Sequence, residues 1–135
     1  MLFRSRSGLV PNEILNYLLQ LGDVCKKYIE EFPAVDWYSP WSIIEPFNIQ
    51  YYRPNGGFKV FHSERVGLTT ATRHMVWMTY LNDVTDGGET EFYHQGYKVK
   101  PERGKTVIWP ADWTYTHRGI PSPSQDKYKI GRAHV

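Results

Sequence analysis

The sequence predicts a mainly β (α+β) fold: one helix near the N-terminus, then an all-β sandwich or barrel. Three observations carry this. Apolar residues recur at steps of three and four between Ile14 and Phe32, the period of one helical face. After Phe47 that period gives way to short aromatic and apolar runs split by Pro, Gly, Asn and Asp, the pattern of many short strands. Aromatics make up 16% of the 135 residues, with five Trp and ten Tyr. Large flat side chains pack well on pleated surfaces.

The elements follow in order. Asn12 stands where it can cap a helix, with Pro11 just before it. Ile14, Leu18, Leu21, Cys25, Tyr28 and Phe32 form the apolar face, and Pro33 ends the helix. This helix, 12–32, is expected to support a sheet from outside. An aromatic-rich connection with Trp37 and Trp41 leads to Pro46. Phe47 to Arg53 reads as a strand, Pro54-Asn55-Gly56-Gly57 as a turn, and Phe58 to Phe61 as a second strand running into His62. Arg73 to Leu81 is the strongest strand signal. Asp86-Gly87-Gly88 marks a turn before Glu89 to Tyr93. Lys98 to Lys100, Thr106 to Trp109, Tyr115 to Arg118 and Lys127 to Ile130 complete the series, divided by Pro101, Gly104, Pro110 and Pro121. No repeat or internal linker interrupts it, and the length suits one domain.

Composition excludes some classes. A net charge of +2 argues for no nucleic-acid partner. No apolar run reaches the length of a membrane span, so no membrane partner is expected. The lone Cys25 excludes an internal disulfide, and the start MLFRSRSG lacks an apolar leader region. Both favour a cytoplasmic setting. The two ends carry a further signal. Ile130 to Val135 reads IGRAHV, a translation of the short-read sequencing adapter ATCGGAAGAGCACACGTC. Met1 to Ser5 reads MLFRS, the translation of the other adapter strand, GTGCTCTTCCGATCT, from a GTG start. Residues 1–5 and 130–135 are therefore expected to be adapter-derived, around a domain of 6–129 with its β core at 47–129. On that reading His134 is no ligand, and the domain lacks its last strand.

The chemistry starts from His62 and Glu64. With one residue between them, both leave the same face of an extended strand. His117 lies far downstream on another expected strand. Two His and one carboxylate can hold one face of an octahedron and leave three positions open, the facial triad of non-haem Fe(II) oxygenases. An H-x-E pair alone is common on surfaces; its neighbours change its weight. Lys127 follows His117 by ten positions, and a buried cation there can pair with a ligand carboxylate. Tyr52 and Tyr80 can add hydroxyl donors. Each also has a plain structural reading: a solvated strand lysine, whose face Lys129 shares, or a core aromatic satisfied elsewhere.

The runs IQYYRPNGGFKVFHSE, RHMVWMTYLNDVTDGGETEF, VKPERGKTVIWPADWTYTHRG and KY, in that order, resemble the prolyl-4-hydroxylase-like Fe(II)/2-oxoglutarate dioxygenase family over about Phe47 to Lys129. The resemblance implies a double-stranded β-helix (jelly roll) with an N-terminal support helix. It implies iron ligands His62, Glu64 and His117, with Lys127 on the distal carboxylate of 2-oxoglutarate and Tyr52 and Tyr80 at the same co-substrate. It places Arg73 on the catalytic or substrate side. The implied cofactors are Fe(II), 2-oxoglutarate and O₂, with ascorbate as reductant. The implied reaction hydroxylates a C–H bond, that of a prolyl residue in a peptide or protein, and releases succinate and CO₂. Two departures stand out. The family's acidic ligand is Asp, here Glu64, and IGRAHV stands where relatives continue with a strand often reading T-G-W.

Three other readings compete. The domain can be a jelly-roll binding module that has lost turnover, a hydroxylase of a free amino acid or other small molecule, or a jelly-roll enzyme using another metal without a keto acid. His74, inside the strong strand, reads as structural or substrate-facing, and His94 as a solvated loop residue.

Overall fold

The computed structural model describes residues 11–43 and 45–133. The ends Met1–Ser5 and His134–Val135 lie outside the described residues. The chain divides into two compact units, Met1–Pro40 and Trp41–Val135.

In the first unit, helix α1 runs from Asn12 to Glu31, with Leu18 and Leu21 buried. These two lie mid-face in the apolar stripe that the sequence marks. The cap is a correction. Pro11, extended at φ −53° and ψ 145°, occupies the capping position, and no side chain bonds the helix start. Asn12 is already the first helical residue, because proline fixes its own φ and needs no N–H there. At the other end Phe32 leaves helical geometry, while its N–H still reaches the Tyr28 carbonyl at 2.8 Å. Pro33 then opens a short 3₁₀ turn, Pro33–Asp36.

The second unit holds two antiparallel sheets. The larger orders β1 (Asn48–Tyr52), β7 (Lys127–Ala133), β2 (Met75–Tyr80) and β5 (Thr106–Pro110) as β1-β7-β2-β5. The smaller orders β4 (Tyr97–Val99), β3 (Thr90–Phe92) and β6 (His117–Gly119) as β4-β3-β6. All six residues of β2 are buried, which is why MVWMTY reads as a continuous run without alternation. Val76, Met78 and Tyr80 of β2 and Trp109 of β5 cluster with Phe92 of β3 and Val99 of β4. The core thus lies between the sheets. Phe92 meets Trp109 edge-on at 5.3 Å and 83°, a geometry that adds about 0.5–1.5 kcal/mol beyond area burial. The turn before β3 needs its glycine: Gly87 has φ 71°, and a Cβ there would lie 2.6 Å from the Pro121 carbonyl oxygen.

Three strand expectations are corrected. Phe58 to Phe61 is no regular strand. It touches β6 through Gly119 N–H to Phe58 O at 2.8 Å, and next through the His62–His117 bridge. The register slips by two residues between these points, because the intervening Val60 carbonyl is bonded to the His62 ring at 3.0 Å. Tyr115 belongs to a 3₁₀ turn, Trp113–Tyr115, and β6 starts only at His117. β7 does not stop at Ile130. It continues to Ala133 between two partners, with Ile130 buried. Among the described residues no helix is long and apolar enough to cross a membrane.

Candidate metal centre

His62 and His117 face each other across the smaller sheet's edge. His62 N–H donates to His117 O at 3.0 Å, and His117 N–H returns to His62 O at 2.9 Å. Their rings sit 4.4 Å apart. Each ring is turned by a carbonyl two residues back: His62 Nδ1 on Val60 O at 3.0 Å, His117 Nδ1 on Tyr115 O at 2.9 Å. A carbonyl only accepts, so Nδ1 carries a hydrogen in both rings, and each Nε2 is turned to the gap between them. Glu64 is seated by its backbone, whose N–H donates to Ala111 O at 3.1 Å. The next residue repeats this, and Arg65 closes the corner with a two-pronged bond to Asp112.

These supports bring three lone-pair donors together. Glu64 Oε1 lies 3.3 Å from His62 Nε2 and 3.7 Å from His117 Nε2. One ligand atom from each residue falls within 4.8 Å of the others. Burial, joined by the charge of His62, pushes His117 down to about 4 against an opposing bond to Tyr115, so the ring is neutral near pH 7. Burial works to raise the Glu64 carboxyl, but His62, His117 and Arg73 outweigh it and hold it below the usual range. Two imidazole Nε2 atoms and a carboxylate oxygen at this spacing can share one cation. The donor set therefore fits a divalent metal held by two imidazoles and a carboxylate. Phe58 packs on the His62 ring at 4.3 Å and Trp109 on His117 at 5.0 Å, which keeps the donors in apolar surroundings.

A cavity of about 240 Å³ opens on the three donors. It lies below the roughly 300–1,000 Å³ of drug-sized sites and suits a small acid. Tyr52 lines it, and the Tyr52 hydroxyl donates to Gln50 Oε1 at 3.0 Å, leaving the Gln50 amide hydrogens on the same wall. Thr90 and Trp109 also line it, and the Trp109 indole N–H is buried with no protein partner.

Lys127 and Tyr80 are not on this wall. Lys127 is only 3% exposed; its ammonium donates to Gly88 O at 3.0 Å and sits 5.4 Å from the Tyr52 ring centre. Burial and the neighbouring Lys129 charge bring it down to about 8. Tyr80 is fully buried, its hydroxyl bonded to Thr90 Oγ1 at 2.6 Å and Val99 O at 3.2 Å, and burial raises it to about 12. Lys129 lines the cavity instead, its ammonium 5.6 Å from the Tyr52 ring centre. Burial lowers its pKa while the Glu64 charge raises it, so its ammonium feels the Glu64 carboxylate. The signal for it was the period of two along β7, which puts Lys127 and Lys129 on one face. Arg73 lies against Glu64: Nη1 donates to Glu64 O at 3.0 Å and stands 3.6 Å from Glu64 Oε2. His74 packs edge-on to Trp41, and His94 sits exposed between Tyr93 and Trp113.

Two facing sheets with a His-x-Glu and a distant His at one cavity define a jelly-roll metal centre of the facial-triad type. The profile of the 2OG-Fe(II) oxygenase superfamily matches residues 47–131, and the chain belongs to that superfamily. It is a 2-oxoglutarate-dependent dioxygenase domain, whose class works with Fe(II), 2-oxoglutarate and O₂. Among curated proteins none matches the chain. In fold it is similar to the viral collagen prolyl hydroxylase of Paramecium Bursaria Chlorella virus-1, at 21% identity and a TM-score of 0.54, covering 84% of this chain and 72% of that one. It is similar to a Pseudomonas putida prolyl-4-hydroxylase, at 21% identity and 0.55, covering 67% of this chain and 54% of that one. A prolyl 4-hydroxylase of Phytophthora capsici reaches 0.63 at 21% identity, covering 87% of this chain and 40% of that one. The two-sheet core is thus the double-stranded β-helix of a 2OG-Fe(II) oxygenase, in the fold that the prolyl hydroxylase structures share.

Proposed function

We propose that the domain hydroxylates a C–H bond of a prolyl residue in a peptide or protein. The reaction consumes one 2-oxoglutarate and one O₂; one oxygen atom enters the substrate as hydroxyl and the other enters succinate, with loss of CO₂. The observation that carries this reading is the convergence of His62 Nε2, His117 Nε2 and Glu64 Oε1, each set by its own backbone support. His62, Glu64 and His117 would hold Fe(II). The iron, when bound, supplies the O₂ chemistry that no side chain provides. The protein's own part is to orient and to exclude water. Phe58 and Trp109 shield the metal face, and the donors of Gln50 and Lys129 receive the distal carboxylate of 2-oxoglutarate. Lys127 holds the matching position in the family, but its ammonium would first have to leave Gly88. A peptidyl proline is supported by the fold neighbours, which are prolyl hydroxylases.

The test starts without oxygen. Fe(II) and 2-oxoglutarate added to the purified protein are expected to give a visible metal-to-ligand band that the His117→Ala variant lacks. Aerobic succinate release with proline-containing peptides, against free amino acids, then reads the substrate. Folded protein with no band sinks the dioxygenase reading. A band without peptide-stimulated succinate keeps the metal chemistry and removes the prolyl substrate.

A further inference from the structure

Arg73 braces the acidic ligand from behind. Its Nε and Nη2 meet the two carboxylate oxygens of Glu45 at 3.1 and 3.2 Å. Its third nitrogen, Nη1, donates to the Glu64 carbonyl at 3.0 Å and stands 3.6 Å from Glu64 Oε2. A planar guanidinium tied at all three nitrogens cannot rotate away, and this one is 16% exposed. The two oxygens of Glu64 are thereby separated. Oε1 faces both histidine Nε2 atoms, and Oε2 faces Arg73.

That separation matters because the ligand is Glu and not Asp. The extra methylene adds a rotatable bond, and a free carboxylate can close on a cation with one oxygen or two. An octahedral ion held by two His and one carboxylate oxygen keeps three positions open. A second Glu64 oxygen would take one of them. A keto acid chelating through two atoms would then leave no position for O₂.

We infer that Arg73, held by Glu45, is a positioning residue that restricts Glu64 to a single oxygen on the metal and so preserves the third open position. The inference rests on the Fe(II)/2-oxoglutarate reading of the site. Glu45 precedes β1, so the brace also ties the segment before the barrel to the metal ligand. The two carboxylates share one guanidinium, which neutralises part of the charge that their approach would otherwise set in opposition.

The experiment counts ligands. Anaerobic Fe(II) protein is loaded with labelled 2-oxoglutarate and then exposed to nitric oxide as a stand-in for O₂. Wild type is expected to keep the keto acid while the nitrosyl signal appears by electron paramagnetic resonance. Arg73→Gln is expected to bind Fe(II) within about threefold of wild type, yet to release the keto acid, at least about tenfold more readily, as the nitrosyl forms. Glu45→Gln should fall between the two. In the Arg73→Gln background, Glu64→Asp should restore simultaneous binding, since the shorter acid has no length left to turn its second oxygen inward. Retention of both ligands by Arg73→Gln, or loss of the metal itself from Glu45→Gln and Arg73→Lys, overturns the inference and leaves the site reading intact. If folded wild type binds no keto acid, the reading fails and the inference with it.

Discussion

Each imidazole of the centre is held by a carbonyl two residues upstream, and this decides its tautomer before any metal arrives. His62 uses Val60 and His117 uses Tyr115. His117 also sets a pH dependence. Its pKa in the folded, metal-free chain falls from the ordinary 6.5 to about 4, mainly through burial. Below 6.5 the unfolded chain takes up a proton that the folded chain refuses, so stability falls as pH drops from about 6.5 to about 4 and is unaffected by this group above that window. The shift corresponds to roughly 3 kcal/mol at 1.36 kcal/mol per unit. Urea melts of metal-free protein at pH 7, 5.5 and 4 should show this slope, and His117→Asn should flatten it; an unchanged slope would assign the effect elsewhere. The convergence of His62, Glu64 and His117 was legible in the sequence, because a spacing of two on an extended chain puts His62 and Glu64 on one face and because the resemblance marks His117 by its H-R-G run. The Arg73–Glu45 pair was not legible. It joins residues from opposite ends of the 45–73 stretch, and nothing local announces it.

At the scale of elements, β7 carries most of what the strand pattern left out. Its start at Lys127 was legible and its end was not, since residues 130–135 read as adapter-derived. Yet Gly131 has φ 147° and pairs with both Asn48 and Met78. A Cβ there would run into the Trp77 carbonyl oxygen. Gly131→Ala is therefore expected to cost about 1–3 kcal/mol by overpacking, measurable by thermal or urea unfolding. Truncation after Lys129 removes the buried Ile130 and the ladder partners of β1 and β2, with about 1.5–3 kcal/mol lost from that side chain alone. Melts of the truncated chain check this; equal stability would show the segment 130–133 to be dispensable, whatever its origin. The same strand separates two lysines by role. Lys129→Met should weaken 2-oxoglutarate binding about tenfold or more, as expected for a charged hydrogen bond worth roughly 1.5–3 kcal/mol. It should leave pyruvate, which lacks the distal carboxylate, unaffected. If Lys127→Met alone produces that pattern, the family position carries the contact. The helix shows the opposite balance: its apolar stripe was legible from Ile14 to Tyr28, while the cap moved to Pro11 and Phe32 falls outside the helix, 53% exposed.

For the whole molecule, seven of the eight expected strands and the turns at 54–57 and 86–88 were readable, because turns are local chemistry; the expected strand 58–61 was not one. Pairing was not, because β1 meets β7 from the far end of the chain, Tyr52 beside Lys127, and no local pattern encodes a partner that distant. The resemblance supplied what periodicity could not, the double-stranded β-helix. Closing such a fold through distant contacts leaves it responsive to ligands that bind only the closed form. Mn(II) with 2-oxoglutarate, each at 100 times its dissociation constant, should stabilise the folded chain by about 2.7 kcal/mol per independent site. Differential scanning fluorimetry reads this as a raised melting temperature that His117→Ala abolishes. The reciprocal bonds between His62 and His117 extend the point. The segment 58–62 has no ladder of its own, so these two amides and the ion would close the same seam from backbone and side chain. Deuterium uptake at both amides should quicken when the metal is chelated, while β2 stays slow. Iron occupancy would then be written as local order, and any quality-control protease that cuts loosened chain would discriminate loaded molecules from empty ones without touching the metal.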